Sequence, residues 1–263
     1  MFLALLLGSL VGLSLGLTGG GGSIFAVPLL VYGLGLEFRE AVAISLLVVG
    51  SIAAFGAVVH GVRREVLWGA GLMLGVGGII TAPLGARLGA QLGETVALGL
   101  FAVVMFCVGY PMLRGGGIGD RLEWGELRCP LGLMGRPRFS LLCASKLLVG
   151  GFVVGVLSGL FGVGGGFLIV PALTMVLPIA FETALASSLV SVSLIAVAGV
   201  LAHAEDLRSA IDVTIGFFIL GGVLGMVTGI ILKRRLDREK LRRAFGGVTL
   251  GAAVLVLFLS GWL

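Results

Sequence analysis

Two glycine strings hold the residues of this chain that could do chemistry on a small ligand. Residues 16–23 read G-L-T-G-G-G-G-S, residues 159–166 read G-L-F-G-V-G-G-G, and a Val-Pro pair follows each string. Glycine lowers helix stability by about 1 kcal/mol relative to alanine, so both strings predict a break in a helix. A helix that restarts after such a break presents unpaired N–H groups and a positive dipole end, which favour an anion.

Hydroxyl side chains beside the strings complete the candidate anion site. Thr18 and Ser23 lie on either side of the four consecutive glycines of the first string, whereas Phe161 and Gly166 hold the matching places of the second, which is therefore expected to be more apolar. Tight helix packing is the alternative role for the glycines, and a bond to the i−4 carbonyl is the alternative for each serine. The predicted substrate-binding residues are Thr18, Gly19, Gly20, Gly21, Gly22, Ser23, Ser45, Gly162, Gly164, Gly165, Gly166, Ser187, Ser188 and Ser191.

The two histidines of the chain, His60 and His203, each fall at the carboxyl end of an apolar run. They are either gate or proton-relay groups or polar residues at the membrane interface. The three cysteines have no metal-ligand spacing and are expected to be free thiols. Neither a metal nor a cofactor is predicted. A G-x-S-x-G pattern at residues 12–16 lies in an apolar run without triad partners, so the chain is not expected to be an enzyme.

An internal repeat relates the two glycine strings. When the chain is shifted by 143 residues, positions 12–60 match positions 155–203 at 20 of 49 places. The matched residues include both histidines and the pair Ser45 and Ser188. Shared positions three or four residues apart fall on one helical stripe, which we expect to face a common central axis. Paired interrupted segments in two halves are typical of secondary transporters.

Composition places the chain in a membrane. Hydrophobic residues make up 58% of the sequence and charged residues only 12%, about half the share that is usual in soluble domains. Charge-free runs long enough to cross a bilayer core occur in both repeats. These runs cover residues 41–62, 66–86, 95–113, 183–204, 213–232 and 244–263. The net charge of +5 is confined to a few loops, so no nucleic-acid partner is predicted.

Basic residues in the loops indicate how the glycine segments lie in the membrane. If each segment crosses fully, the two sides hold 9 and 9 basic residues, but if each enters and returns, they hold 15 and 3. The positive-inside rule favours the second arrangement. Each repeat then has one re-entrant hairpin and three crossings, so the second repeat is inverted. The predicted fold is an all-α polytopic membrane protein with repeats at 1–112 and 147–263, joined by a cytoplasmic linker at 113–146.

The two glycine segments with their Val-Pro pairs, together with A-x-A-x-S at 41–45 and A-x-A-S-S at 184–188, resemble the TauE/SafE or sulfite exporter family. The resemblance covers nearly the whole chain except the linker. It implies transport of sulfite, sulfonates or related sulfur anions across the plasma (inner) membrane. The predicted function is a proton-coupled secondary transporter, with a passive anion channel or a transporter of an unrelated anion as alternatives. The predicted partners are a small anion and the lipid bilayer, and a homodimer is left open.

Overall fold

A computed structural model describes residues 1–92, 94–113, 129, 141–161, 165–177, 179–204, 213–233 and 238–259. Most of these residues are helical and none of them is in a strand, which confirms the predicted all-α class. In chain order the helices are α1 (Phe2–Thr18), α2 (Ser23–Pro28), α3 (Phe38–Val62), α4 (Trp68–Gln91), α5 (Glu94–Leu113), α6 (Leu141–Phe161), α7 (Gly166–Val176), α8 (Phe181–Ala202), α9 (Val213–Lys233) and α10 (Arg238–Leu259).

Five of the described helices are long and apolar enough to cross a membrane. They are α3, α4, α6, α8 and α9. Their outer surfaces carry large exposed apolar side chains such as Val58, Ile80 and Leu201, as expected of helices that face lipid. The chain is therefore a multi-pass membrane protein.

The first glycine string turns the chain back on itself. α2 continues into one π-helical turn at Leu29–Gly33, directly after Pro28, which has no backbone N–H to donate. A Cβ added at Gly33 would lie 2.8 Å from Leu7 Cδ1, and one added at Gly22 would lie 2.5 Å from the Leu15 nitrogen. The returning arm therefore runs back along α1, and the two helices form a hairpin.

The second hairpin is formed by α6 and α7, and Cys129 links the start of α6 to the end of α7. The Cys129 N–H donates a hydrogen bond to the Val176 carbonyl at the end of α7 (2.9 Å). Cys129 also forms a disulfide with Cys143, in the first turn of α6. The expectation of free thiols is therefore wrong for these two cysteines, while Cys107 is free and exposed. The pairing depends on Cys129 docking against α7, which the spacing of cysteines along the chain does not report.

Each hairpin packs against a crossing helix from the other half of the chain. The first arm, α1, lies along α9, with the glycines of α1 directly on backbone of its neighbour: Gly8 on Phe218, Gly12 on Gly222 and Gly16 on Met226. α6 lies along α4 in the same way: Gly151 on Leu74, Gly155 on Gly78 and Gly159 on Ala82. Residue numbers rise together in both pairs, so both pairs are parallel. Small residues allow such close approach of backbones in membranes.

The repeat-related helices α3 and α8 cross at the centre of the bundle. Gly50 packs against the Ala196 side chain, and Gly199 packs against Leu46. Numbers rise on one helix as they fall on the other, so α3 and α8 are antiparallel. Most residues of both helices are buried, which makes them the core of the molecule.

The boundaries of the repeats are only partly within the described residues. α6 begins at Leu141, within the range predicted for the linker, and the boundary at 147 stays a prediction. Apart from Leu113, Cys129 and residues 141–146, the predicted linker lies outside the described residues.

Candidate functional site

The first glycine tip is a compact turn held by its own hydroxyls. α1 ends at Thr18, and Gly19 takes a φ of 69°, which side chains with a Cβ rarely adopt. Thr18 Oγ1 donates to the Ser14 carbonyl and accepts the Gly21 N–H at 2.9 Å. Ser23 Oγ donates to the Gly20 carbonyl at 2.6 Å. In this conformation both predicted hydroxyls support the turn.

The second tip begins α7 with a different geometry. Gly165 is the N-cap of α7 with a φ of 65°, and no side chain makes a capping hydrogen bond there. The N–H groups in the first turn of any helix lack intrahelical acceptors. Two further glycines of the predicted site, Gly162 and Gly164, lie outside the described residues.

The two tips meet inside the bundle. A Cβ added at Gly166 would lie 2.7 Å from the Gly20 Cα, so no side chain fits between them. Gly166 also lies beside Val192 of α8, where an added Cβ would be 3.0 Å from Cγ2. The described tip residues are buried, so the contact is closed to solvent. The structure thus brings the two distant glycine strings together. Such a contact is what we expect if both strings lie at a central axis shared by the two repeats.

The predicted serines divide into two groups. Ser188 Oγ lies 2.8 Å from the Gly19 carbonyl and reaches the first tip. Ser45, its repeat partner, donates to the Val42 carbonyl of its own helix. Ser187 instead accepts the Leu67 N–H, and Ser191 donates to the Gly71 carbonyl, so both bind α4.

No charged side chain belongs to the segments that form the tips. Residues 1–36 and 147–181 contain neither acidic nor basic residues. The described residues also contain no group of three or more His, Cys, Asp or Glu side chains that could hold a metal ion. Electrostatic attraction at the tips must come from backbone dipoles and hydroxyls. Such dipoles favour an anion at the start of a helix.

The two histidines lie at opposite ends of the antiparallel pair α3 and α8. His60 is 3% exposed, and its Nδ1 lies 2.5 Å from Glu65 Oε2. Lys233, at the end of α9, lies within electrostatic range of Glu65 and of Glu182 at the start of α8. His203 is less buried and lies 3.0 Å from the Gly199 carbonyl. Both the gate and the interfacial interpretation fit these positions.

Ser158 of α6 is a neighbour of the second tip that the sequence analysis missed. Its side chain is 1% exposed, and a Cβ added at Gly165 would lie 3.5 Å from its Oγ. Its repeat partner is Leu15, so comparison of the repeats gave no signal for a polar residue here.

Comparison with known proteins identifies the family. The sequence model of the family described as Sulfite exporter TauE/SafE matches residues 4–256. The chain belongs to this family. A "Probable membrane transporter protein" of Xylella fastidiosa strain 9a5c is 33% identical over 257 residues, covering 96% of this chain and 93% of that protein. Its counterpart in strain Temecula1 is 34% identical over the same coverage.

A more distant similarity covers part of the chain. A "Probable membrane transporter protein" of Methanocaldococcus jannaschii is 32% identical over 113 residues, which is 40% of this chain and 42% of that protein. No solved structure matches the chain. The membership of the TauE/SafE family, the apolar helices and these relatives agree that the chain is a membrane transporter of several crossings.

Proposed function

We propose that the chain is a proton-coupled secondary transporter of small sulfur-containing oxyanions, sulfite or an organosulfonate, in the inner membrane. The observation that carries the proposal is the contact of Gly20 with Gly166. It unites two helix breaks at one buried point without any charged side chain. Fixed dipoles can replace the water around an anion there, and they hold it less tightly than a buried cation would, so release remains possible.

The contacts between helices support an inverted-repeat mechanism. The α1–α9 and α6–α4 pairs are built from repeat-related glycines in the same parallel sense. Ile52 of α3 packs on Gly222 of α9, and its repeat partner Ile195 packs on Gly78 of α4. Such equivalent contacts are expected when a two-fold axis exchanges the halves, and the antiparallel packing of α3 against α8 supports an axis that lies in the membrane plane. Rocking of the halves about the joined tips would expose the site to each side in turn.

The binding residues we propose are those of the joined tips. Gly19–Gly22 and Gly164–Gly166 would offer N–H donors, with Ser188 supporting the first tip and Ser45 the second. The N–H groups of Gly19 and Gly21 would first have to leave the Leu15 carbonyl and Thr18 Oγ1, which they bind in the described conformation. Since Ser187 and Ser191 hold α4 in the described conformation, they would reach the anion only after α4 moves relative to α8. A closed site in which Thr18, Ser23 and Ser188 are bonded within the protein fits an occluded state of such a transporter.

Flux into proteoliposomes tests the proposal. Labelled sulfite and labelled methanesulfonate are offered with and without an imposed proton gradient, and empty liposomes give the background. Accumulation above the external concentration under the gradient is expected. Gly165→Val should abolish this flux, whereas Gly150→Val, at a glycine with no atom within 4 Å of an added Cβ, should preserve it.

The same measurement separates the alternatives. A passive channel would equilibrate the anion without accumulating it under the gradient. A transporter of another small anion would move phosphate or a carboxylate but neither sulfur oxyanion. If only a cation or a neutral solute moves, the proposed anion site is wrong.

A further inference from the structure

Ser158 is the exception among the buried hydroxyls of the described residues. Serines in membrane helices usually donate to a carbonyl one turn earlier, and Ser45 and Ser193 do so here. Ser158 Oγ is buried but has no hydrogen-bond partner among the described residues. A buried hydroxyl without a partner is unfavourable, because it loses water and gains nothing in return. A bound ligand that accepts a hydrogen bond from the Ser158 hydroxyl would remove this cost.

The surroundings of Ser158 indicate where that partner would lie. An added Cβ at Gly165 would be 3.1 Å from Ser158 Cβ and 3.5 Å from its Oγ, so the hydroxyl lies against the N-cap of α7. α7 has 11 residues and no side-chain cap, so the dipole and the N–H groups of its first turn act at the same place. One residue further, Gly166 touches Gly20 of the first tip.

The two tips differ in how their hydroxyls are used. At the first tip, Thr18 and Ser23 are both bonded to the turn that carries them. The repeat partner of Ser158 there is Leu15, which has no hydroxyl. Within the part of the chain that the structure describes, the hydroxyl without a partner therefore lies beside the second tip, the one that the sequence had suggested to be more apolar.

We infer that Ser158 is a substrate-binding residue, and that its Oγ–H donates a hydrogen bond to an oxygen of the transported sulfur oxyanion at the start of α7. This inference rests on the proposed function. The side-chain hydrogen bond to the anion would then come from the second tip. The binding site would therefore be asymmetric, although the scaffold is built from two related halves.

Thermal unfolding of the purified protein in detergent tests the inference. Wild type, Ser158→Ala and the control Ser193→Ala are compared with sodium methanesulfonate, with sodium sulfite, and with sodium chloride at equal ionic strength. Methanesulfonate is included because, unlike sulfite, it does not cleave disulfides. Ser193 is a half-buried serine on α8 whose hydroxyl donates to the Val190 carbonyl of its own helix.

Ser158→Ala should have a distinctive pair of effects. Without ligand its melting temperature should equal or exceed that of wild type, because the substitution removes an unpaired buried hydroxyl. The concentration of methanesulfonate needed for half-maximal stabilisation should rise about tenfold, as expected when a hydrogen bond to a charged ligand is lost. Ser193→Ala should bind methanesulfonate as wild type does.

Three results would overturn the inference, and they are distinguishable. Equal stabilisation of wild type and Ser158→Ala by the sulfur oxyanions would remove Ser158 from the site while the proposed function stands. A large loss of ligand-free stability in Ser158→Ala would assign the hydroxyl a structural role. If neither sulfur oxyanion stabilises wild type beyond chloride, the proposed function fails and the inference fails with it.

Discussion

Gly165 combines two roles that only a residue without a Cβ can fill. Its φ of 65° lies in the left-handed region, and an added Cβ would lie 2.7 Å from Val154 Cγ1. The same missing Cβ leaves Ser158 next to the start of α7. The backbone conformation and the access of a ligand to the second tip therefore depend on one residue.

Replacement of this glycine should cost stability as well as binding. Gly165→Ala should destabilise the protein by about 1–2 kcal/mol, because an L residue is strained at this φ. Gly150→Ala on α6 is the matched control: nothing lies within 4 Å of its added Cβ, and alanine stabilises a helix by about 0.5–1 kcal/mol over glycine. Thermal unfolding in detergent measures both. Equal melting temperatures for the two variants would contradict the strained geometry at Gly165.

At the scale of elements, the glycines of α1 and α6 that face α9 and α4 serve packing. An added Cβ at Gly12 would overlap the Gly222 carbonyl, and one at Gly155 would lie 2.5 Å from the Gly78 carbonyl. The alternative explanation for glycine, tight crossing of helices, thus holds for these positions. At the tips, close packing and ligand access are not exclusive, since Gly20 and Gly166 touch each other and also surround the proposed site.

Both parallel pairs should respond alike to a larger side chain. Gly12→Val and Gly155→Val should each destabilise the protein by about 1–3 kcal/mol, the usual cost of overpacking. Gly216→Val on α9 serves as control, because its added Cβ meets nothing within 4 Å. Melting temperatures and the yield of monodisperse protein in detergent measure the effect. If Gly12→Val behaves as Gly216→Val does, α1 does not pack on α9 through its glycines.

Sequence analysis predicted the elements better than their partners. The charge-free runs correspond to α3, α4, α5, α8, α9 and α10 because length and apolarity are local properties. The disulfide and the binding of Ser187 and Ser191 to α4 depend on which helices become neighbours. Ser158 escaped notice because the repeat comparison selects what the halves share, whereas this residue is where they differ.

At the scale of the whole molecule, the basic residues and the disulfide give opposite indications of the side of the membrane on which the linker lies. The arrangement with re-entrant hairpins places 15 of the 18 basic residues on the side of the linker, which the positive-inside rule assigns to the cytosol. Disulfides persist mainly on the oxidising side of a membrane. The Cys129–Cys143 pair belongs to the same face.

We expect the basic residues to decide the orientation. A periplasmic alkaline phosphatase fused after Leu263 should be active, since the enzyme folds only outside the cytosol, and a fusion within the 113–146 linker should be inactive. Cys129 and Cys143 should then be reduced in cells quenched with acid and should form their disulfide in the purified, air-oxidised protein. An oxidised pair in quenched cells together with an active linker fusion would reverse the topology.

The pairing of α1 with α9 also determines the order in which the helices can dock during synthesis. Thr18, at the end of α1, and Val213, at the start of α9, are about two hundred residues apart, so at about 5–20 residues per second the first hairpin waits roughly 10–40 seconds for its partner helix. α6 follows α4 closely in the chain and can dock as soon as it is made. The second hairpin should therefore dock on its partner helix before the first hairpin does. The first segment to leave the ribosome has to wait for α9, and until then the glycine face of α1, which fits against a helix backbone, is exposed to lipid or to a membrane chaperone.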